Sequence, residues 1–249
     1  MTPNATMTRF RAKRRRGRRL GLTGVPLVLV LLLAPTTVMA QEPLPAGTGP
    51  LDAGTYSTDA LGQTLTLTVG DGWSIGGEAV EGVGVDLVPE PFVYDGPEGF
   101  GMLGITRSDG TVFEGYCVPT GGDMEAFHAA TKALEPTAEA LADHLLADPY
   151  LETSEPVAIE IGGYSGLQLD ATADVGEECE IPGTFLWAIP VFGDWMLRDG
   201  QRARYHLIDA NGEVVAFVLE AGPDVDIDEL AALAQPVLDS VMLEALPQG

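Results

Sequence analysis

Two dipeptides typical of hairpin turns, Asp199-Gly200 and Asn211-Gly212, divide the last third of the chain into three apolar or alternating stretches. Such dipeptides supply the backbone conformations that tight two-residue hairpin turns require. The three stretches are 185–197, 202–208 and 213–220. Each is long enough for a strand, so the pattern predicts three consecutive antiparallel strands in a meander.

Further strands are predicted upstream, where apolar residues alternate with polar ones or form short runs between glycines and prolines. These stretches are 64–69, 83–88, 101–107, 111–118 and 156–170. Residues 41–58 are rich in Pro, Gly and Thr, and they predict a flexible lead-in with little structure.

Two regions carry helical signals. In residues 123–147, Asp123 is the predicted N-cap of a first helix, and apolar residues recur at helical spacing in a second helix after Pro136. In residues 226–240, the first turn has the spacing of a capping box. The sequence therefore predicts a single α+β domain over residues 59–246, in which an antiparallel sheet is packed by helices.

Two short signatures accompany this layout. Val69-Gly70-Asp71-Gly72-Trp73 ends the first strand, and Val237-Leu238-Asp239-Ser240-Val241 closes the last helix. Over residues 59–243 the chain resembles secreted bacterial proteins of the PsbP-like α/β/α fold, including the LpqN-type lipoproteins. The resemblance implies an α/β/α sandwich and a non-enzymatic accessory or ligand-binding role, with no catalytic residue to carry over. The chain departs from the lipoprotein members because it has no cysteine behind its apolar leader.

The first 40 residues have the layout of a secretory signal. Eight of the 13 Lys and Arg residues lie before residue 20, an apolar core follows from Leu20 to Leu33, and Val38-Met39-Ala40 ends it with small or apolar residues. We expect a signal peptide over 1–40 that is cleaved after Ala40. An uncleaved anchor and a nucleic-acid-binding arm are the alternatives, and Arg18-Arg19 leaves export by the twin-arginine route open.

Removal of the leader changes the charge of the chain. It leaves five cations against 37 acidic residues, a formal charge of −32. Such a surface repels nucleic acid and anionic lipid, so we expect no nucleic-acid partner and no stable membrane anchor after cleavage.

The predicted secreted or extracytoplasmic location is oxidising, and this determines the expected state of the two cysteines. Cys117 and Cys179 are predicted to form a disulfide, because the acidic residues around Cys179 disfavour a reactive thiolate.

The candidate binding residues are basic. Arg202, Arg204 and His206 alternate along one predicted strand, and Arg198 lies just across the Asp199-Gly200 turn. Two hypotheses follow: the four residues form a small anion or carboxylate site, or the arginines pair with the plentiful carboxylates of neighbouring elements. We favour the structural pairing.

Catalytic and metal motifs are incomplete. Gly163-Tyr164-Ser165-Gly166-Leu167 lacks the second glycine of a hydrolase elbow and is better interpreted as part of a hairpin. The acidic stretch at 224–228 does not continue as a calcium loop, and the histidines lack metal-ligand spacing. A loose Ca²⁺ site among the acids at 170–180 is the remaining alternative, with a solvated loop favoured; we expect no metal and no cofactor.

The leading interpretation is an exported, non-catalytic accessory or ligand-binding protein, whose small-molecule or protein partner the sequence does not identify. An extracytoplasmic hydrolase and an envelope protein-interaction module are the alternatives. The hydrolase requires Ser165 to lie beside His144 or His206, and the interaction module requires an exposed apolar patch.

Overall fold

The computed structural model of the chain describes residues 41–77, 84–93, 99–189 and 193–245. Strands account for 50% of the structure and three helices for only 15%. The predicted sheet packed by helices, in an α/β/α sandwich, is therefore wrong: this is a β-rich fold built from several sheets. Additional strands, rather than helices alone, cover the faces of the main sheet. The predicted signal peptide, residues 1–40, lies outside the described residues.

The largest sheet has nine strands, and it is antiparallel throughout. Its strands are β2 (Gly49–Leu51), β5 (Trp73–Ile75), β6 (Gly84–Pro89), β7 (Gly101–Ser108), β10 (Leu151–Thr153), β11 (Val157–Ile161), β12 (Tyr164–Ala173), β15 (Arg202–Ala210) and β16 (Glu213–Ala221). The spatial order is β10-β12-β15-β16-β7-β6-β5-β2, with β11 also paired to β12. The central strands are long and buried on both faces, which explains their nearly continuous apolar runs.

Three smaller sheets complete the described part of the molecule. A four-stranded sheet contains β1 (Gln41–Pro43), β3 (Gly54–Thr58), β4 (Thr64–Val69) and β17 (Met242–Glu244). Two-stranded sheets are formed by β8 (Thr111–Phe113) with β9 (Thr131–Ala133), and by β13 (Gly183–Ile189) with β14 (Gly193–Arg198). We call the β13–β14 pair the cover hairpin. The helices are α1 (Met124–Ala129), α2 (Ala138–Leu146) and α3 (Ile227–Asp239).

The predicted lead-in over residues 41–58 is corrected by these assignments, because this segment contains β1, β2 and β3. Its glycines lie at the strand ends and in the connections between short strands, and Pro50 is the central residue of β2. Tyr56 is buried in the core, and its hydroxyl donates a hydrogen bond to the carbonyl of Asp52. Short strands anchored by one buried aromatic side chain resemble a loop in composition, which is why the sequence pattern concealed them.

The predicted meander is confirmed in one half and wrong in the other. Asn211 and Gly212 have φ angles of 55° and 89°, as a type I′ turn requires, and they join β15 to β16 as a hairpin. Asp199-Gly200 also forms a turn, but β14 does not pair with β15. Instead, β14 folds back on β13, and β15 takes β12 as its second neighbour.

The helical region predicted at 123–147 is only partly helical. The carboxylate of Asp123 caps α1 as predicted, but α1 ends at Ala129 and the chain then forms β9. A β-branched Thr131 and the missing N–H of Pro136 both disfavour a continuous helix here. α2 begins after the cap Thr137 and buries Leu141 and Leu145. α3 starts at the predicted cap Asp226 and tolerates Pro236 near its C-terminal end.

The nine-stranded sheet separates two apolar cores. One core contains α3 and the four-stranded sheet. The other contains α2 and the cover hairpin, with Trp187 and Tyr205 among its fully buried side chains. On β15 the side chains of Ala203, Tyr205 and Leu207 enter the second core, so Arg204 and His206 project to the first.

Candidate functional site

One acidic side chain lies on a core-facing position of the main sheet. Along β16 the side chains of Val214, Ala216 and Val218 alternate into the core beneath the cover hairpin. Glu220 follows at the same two-residue period and is only 4% exposed. A buried carboxyl group on an apolar face is costly unless it is neutralised or has a function. Glu220 is therefore the starting point of the candidate site.

The cover hairpin brings a tryptophan to this carboxyl group. The indole Nε1 of Trp195, on β14, donates a hydrogen bond of 2.5 Å to Oε1 of Glu220. The Trp195 ring lies directly over Gly104 of β7, where any Cβ atom would collide with it. The same Cβ position is 3.3 Å from Oδ1 of Asp86. Glycine at 104 thus creates a slot for the indole, with Asp86 and Glu220 beside it.

Two further aromatic side chains adjoin Trp195. Its ring stacks on Trp187 with centroids 5.7 Å apart, and Trp187 meets the ring of Tyr205 edge-on at 6.1 Å. The hydroxyl of Tyr205 and Nε1 of Trp187 are fully buried, and neither has a hydrogen-bond partner in the described part of the chain. We call Asp86, Trp187, Trp195, Tyr205 and Glu220 the Glu220 cluster.

The environment of the cluster alters its acid–base properties. Burial raises the pKa of Glu220 to about 8; Asp86 raises it further, whereas the Trp195 hydrogen bond and Arg198 oppose the increase. Burial, and after it the charges of Glu220 and Asp148, raises the pKa of Tyr205 well above its usual value. Near neutral pH Glu220 is therefore mostly protonated, and it can both donate and accept a hydrogen bond.

A second buried carboxyl group, that of Asp148, lies behind the cluster in the turn after α2. It accepts hydrogen bonds from the Thr184 hydroxyl at 2.5 Å and from the Tyr150 amide at 2.8 Å. Burial raises the pKa of Asp148, and these hydrogen bonds lower it. Because Asp148 has two donors, its role is to fix the start of the cover hairpin against α2.

The four predicted basic residues are divided between two sheets. Arg202, Arg204 and His206 share a face of β15, but Arg198 lies on β14 of the separate cover hairpin. Arg204 makes a bidentate contact with Asp170 at 2.7 and 2.9 Å, and its Nη2 also donates to Asp228 at 2.9 Å. These contacts, with Asp170 first, raise the pKa of Arg204 further. The guanidinium of Arg204 is therefore paired with two carboxylates, as the second of the two sequence hypotheses expected for the arginines.

The ring of His206 is also engaged in a contact within the protein. It is buried, and its Nδ1 lies 3.2 Å from the carbonyl oxygen of Phe217. Burial lowers the pKa of His206 to about 4, so the ring is neutral at physiological pH. A neutral, buried imidazole adds nothing to anion binding. The anion-site hypothesis therefore has no support from Arg204 or His206.

Substitution of Arg204 by methionine is expected to lower the free energy of unfolding by about 1–2 kcal/mol, since it leaves Asp170 without its bidentate partner. Arg202→Met is the matched control, because Arg202 forms no ion pair with a described carboxylate. Urea unfolding of both variants checks this expectation. Equal destabilisation by the two substitutions would refute the structural role of Arg204.

The hydrolase hypothesis requires a serine beside a histidine. Ser165 is exposed on β12 opposite Glu160, next to the Gly162-Gly163 turn that makes this segment a hairpin, as predicted. His144 lies on α2, stacked on the ring of Tyr116 at 5.1 Å. Across the described ranges, no hydrogen bond joins Ser165 to His144 or His206. The structure does not bring the required residues together.

A metal site would need several His, Cys, Asp or Glu side chains close together. No group of three or more His, Cys, Asp and Glu residues within the described segments could hold a metal ion. In the acidic 170–180 segment, the carboxylate of Asp170 pairs with Arg204, and the amide of Val175 donates a hydrogen bond to Asp199 outside the segment. These contacts account for the position of the segment without a metal ion.

The predicted disulfide is present. Cys117 and Cys179 are bonded with Cα atoms 5.8 Å apart, and the bond joins segments 62 residues apart in sequence. Backbone pairing beside it includes a hydrogen bond from the Glu180 amide to the Val118 carbonyl. A disulfide of this kind fits an extracytoplasmic location. No helix among the described residues is long and apolar enough to cross a membrane.

Comparison with protein-family models and with curated proteins gives no match. The α/β/α sandwich that the PsbP-like resemblance implied is replaced by the β-rich fold, whereas the family resemblance itself stays a prediction.

The Glu220 cluster was missed in the sequence, although a signal was present. The apolar run over residues 213–220 predicts a buried strand, and strand alternation places Glu220 on the side of Val214 and Val218. An acid in register with apolar core positions marks an unusual buried carboxyl group. Trp195 and Asp86 could not be assigned to the same place, because their proximity depends on the cover hairpin folding over the sheet.

Proposed function

We propose that the chain is an exported protein that acts outside the cytoplasm as a non-catalytic binding protein, with the Glu220 cluster as its site. The observation that carries the proposal is the buried Glu220 carboxyl group, held by the Trp195 indole beneath a separate hairpin. A purely structural core position is filled more stably by an apolar side chain, because burial of a carboxyl group opposes folding. Its presence therefore supports a binding role.

The accessible part of the site supports the same proposal. Trp195 and Asp86 are only half-buried, whereas Tyr205 and Trp187 beneath them are fully buried. Small-molecule sites commonly combine aromatic walls with a few polar groups that fix orientation. In the described part of the chain β14 pairs with β13 alone, so no further strand lies beside Trp195.

Export is the first part of the proposal to test. The protein recovered from culture medium is expected to begin at Gln41 and to contain no free thiol, since the disulfide unites both cysteines. Intact-mass measurement with and without reduction checks both points. A full-length chain found in the cell with two free thiols would contradict export.

Binding is tested on the same material. Native mass spectrometry of the exported protein is expected to show a co-purifying ligand that Glu220→Gln reduces or removes. Glu160→Gln is the matched control, because Glu160 is exposed on the edge strand β11. A native mass equal to that of the bare polypeptide, in the wild-type protein, would contradict the binding role.

A further inference from the structure

We propose that the Glu220 cluster recognises an organic cation, whose ammonium group is held by Glu220 and Asp86 against the indole face of Trp195. This inference rests on the proposed binding function and adds the chemical class of the ligand. It depends on the charges around the slot, on a buried polar group without a partner, and on the aromatic walls.

The ionisable groups around the slot are mainly acidic, although Glu220 itself is mostly protonated near neutral pH. Asp86 comes from β6 and Glu220 from β16, and Asp148 approaches from the turn after α2 within electrostatic range of Tyr205. Arg198 of β14 is the cation that acts on Glu220, but it is exposed and forms no ion pair with a described carboxylate. The whole chain has a formal charge of −24. Once Glu220 is ionised, such surroundings repel an anion and attract a cation.

The second, independent observation is the hydroxyl of Tyr205. It is fully buried, has no hydrogen-bond partner in the described segments, and lies within electrostatic reach of both Glu220 and Asp148. A buried hydroxyl that lacks a partner is destabilising in the absence of a ligand. Its oxygen lone pairs can accept a hydrogen bond from an ammonium N–H of the ligand.

The aromatic walls suit the same ligand. A cation over the face of tryptophan is attracted by the ring quadrupole, and tryptophan is the best of the aromatic residues in this role. The Trp195 ring occupies the slot over Gly104. The Trp195 side chain is only half-buried, so a ligand can reach the ring beside Asp86 and Glu220.

Proton linkage gives the inference a distinctive signature. A cation binds the ionised form of Glu220, which is the minor form below a pKa of about 8. Binding therefore releases a proton, and the affinity rises by up to about tenfold per pH unit until Glu220 is ionised. A neutral hydroxylated ligand would bind the protonated acid instead, and its affinity would fall as pH rises.

The test uses choline and its neutral isostere 3,3-dimethyl-1-butanol as probes on the full exported chain. The readout is the indole N–H resonance of Trp195, assigned by its loss in Trp195→Phe. We expect a saturable shift with choline, at least tenfold tighter at pH 8.5 than at pH 6.5, and a much weaker response to the isostere. Glu220→Gln is expected to abolish both the tight binding and its pH dependence, while Glu160→Gln leaves them unchanged.

Three outcomes would overturn the inference: no saturable response to choline, equal binding of the isostere, or choline binding that Glu220→Gln does not weaken. Near-UV circular dichroism of Glu220→Gln shows that loss of binding is not loss of folding. If native mass spectrometry finds a neutral or anionic ligand that depends on Glu220, the binding function stands and the cation assignment falls. If no ligand co-purifies and choline does not bind, both fall.

Discussion

Glu220→Gln is expected to remove the loss of stabilisation that Glu220 causes in the wild-type protein as the pH rises from about 5 to 8. Burial raises the pKa of Glu220 from 4.5 to about 8, so the unfolded chain loses this proton first as the pH rises. The stabilisation from the protonated acid is complete below pH 4.5 and is lost through pH 8. The loss amounts to about 3–5 kcal/mol at most, at 1.36 kcal/mol per pKa unit. Glutamine keeps an acceptor for Trp195 but does not titrate.

Two buried histidines change the stability of the fold in the opposite direction as the pH rises. Burial lowers the pKa of both His144 and His206 from 6.5 to about 4. Their contribution is complete above pH 6.5 and is lost as the pH falls toward 4. Together the three groups predict that the wild-type protein is most stable at about pH 6–7.

Urea unfolding at intervals from pH 4 to pH 9 gives the free energy of unfolding as a function of pH. In Glu220→Gln we expect the loss of stability at acidic pH to remain and the loss at alkaline pH to disappear. Glu160→Gln, an exposed glutamate, should reproduce the wild-type profile. Parallel profiles for wild type and Glu220→Gln would mean that Glu220 is ionised like an ordinary surface carboxylate.

The second large effect is expected on removal of the disulfide. Cys117 and Cys179 are 62 residues apart, and a covalent link across such a loop restricts the unfolded chain by about 4 kcal/mol in the chain-entropy model. The double variant Cys117→Ser/Cys179→Ser should unfold at a clearly lower urea concentration. The buried Cys179 side chain adds to this effect, because serine places a hydroxyl in an apolar setting.

Reduction of the wild-type protein is the control for the disulfide variant, since it breaks the bond without changing a side chain. Both should lower the unfolding midpoint to a similar extent. We expect the Glu220 cluster to keep its Trp195 hydrogen bond in the folded fraction, because the disulfide lies in the loops outside the cluster. A midpoint that is unchanged by reduction would show that the bond does not contribute to stability.

The sequence predicted those parts of the fold that local chemistry determines. Asn211-Gly212 forms its hairpin because both residues adopt positive φ. Asp123 and Asp226 cap helices because their carboxylates accept hydrogen bonds from the first-turn amides. The disulfide followed from having two cysteines in a chain with a predicted export signal. Each of these inferences needs only a few neighbouring residues.

The parts that depend on distant pairing were missed. Asp199-Gly200 makes a turn in the structure, but the turn does not determine that β14 pairs with β13 while β15 pairs with β12. Local patterns also hid β9, which follows α1 where a continuous helix was expected, and β1 to β3 in the predicted lead-in. Strand pairing is set by side-chain packing over long sequence separations, which one sequence does not reveal.

In the candidate site, too, the locally determined part was visible in the sequence and the part that depends on distant contacts was not. Strand alternation marks Glu220 as core-facing, and this was available in the sequence. Its meeting with Trp195 was not, because it needs the cover hairpin and the missing side chain at Gly104. Conversely, the basic residues that the sequence placed together are divided between two sheets, and Arg204 is held by Asp170 and Asp228.

The most direct measurement is a titration of the Glu220 side chain itself, by the ¹³C chemical shift of its carboxyl group in selectively labelled protein. The account predicts a midpoint near pH 8, accompanied by a shift of the Trp195 indole N–H, since the two groups share a hydrogen bond. A midpoint near 4.5, with the indole resonance unaffected, would contradict the buried acid on which the proposed site depends.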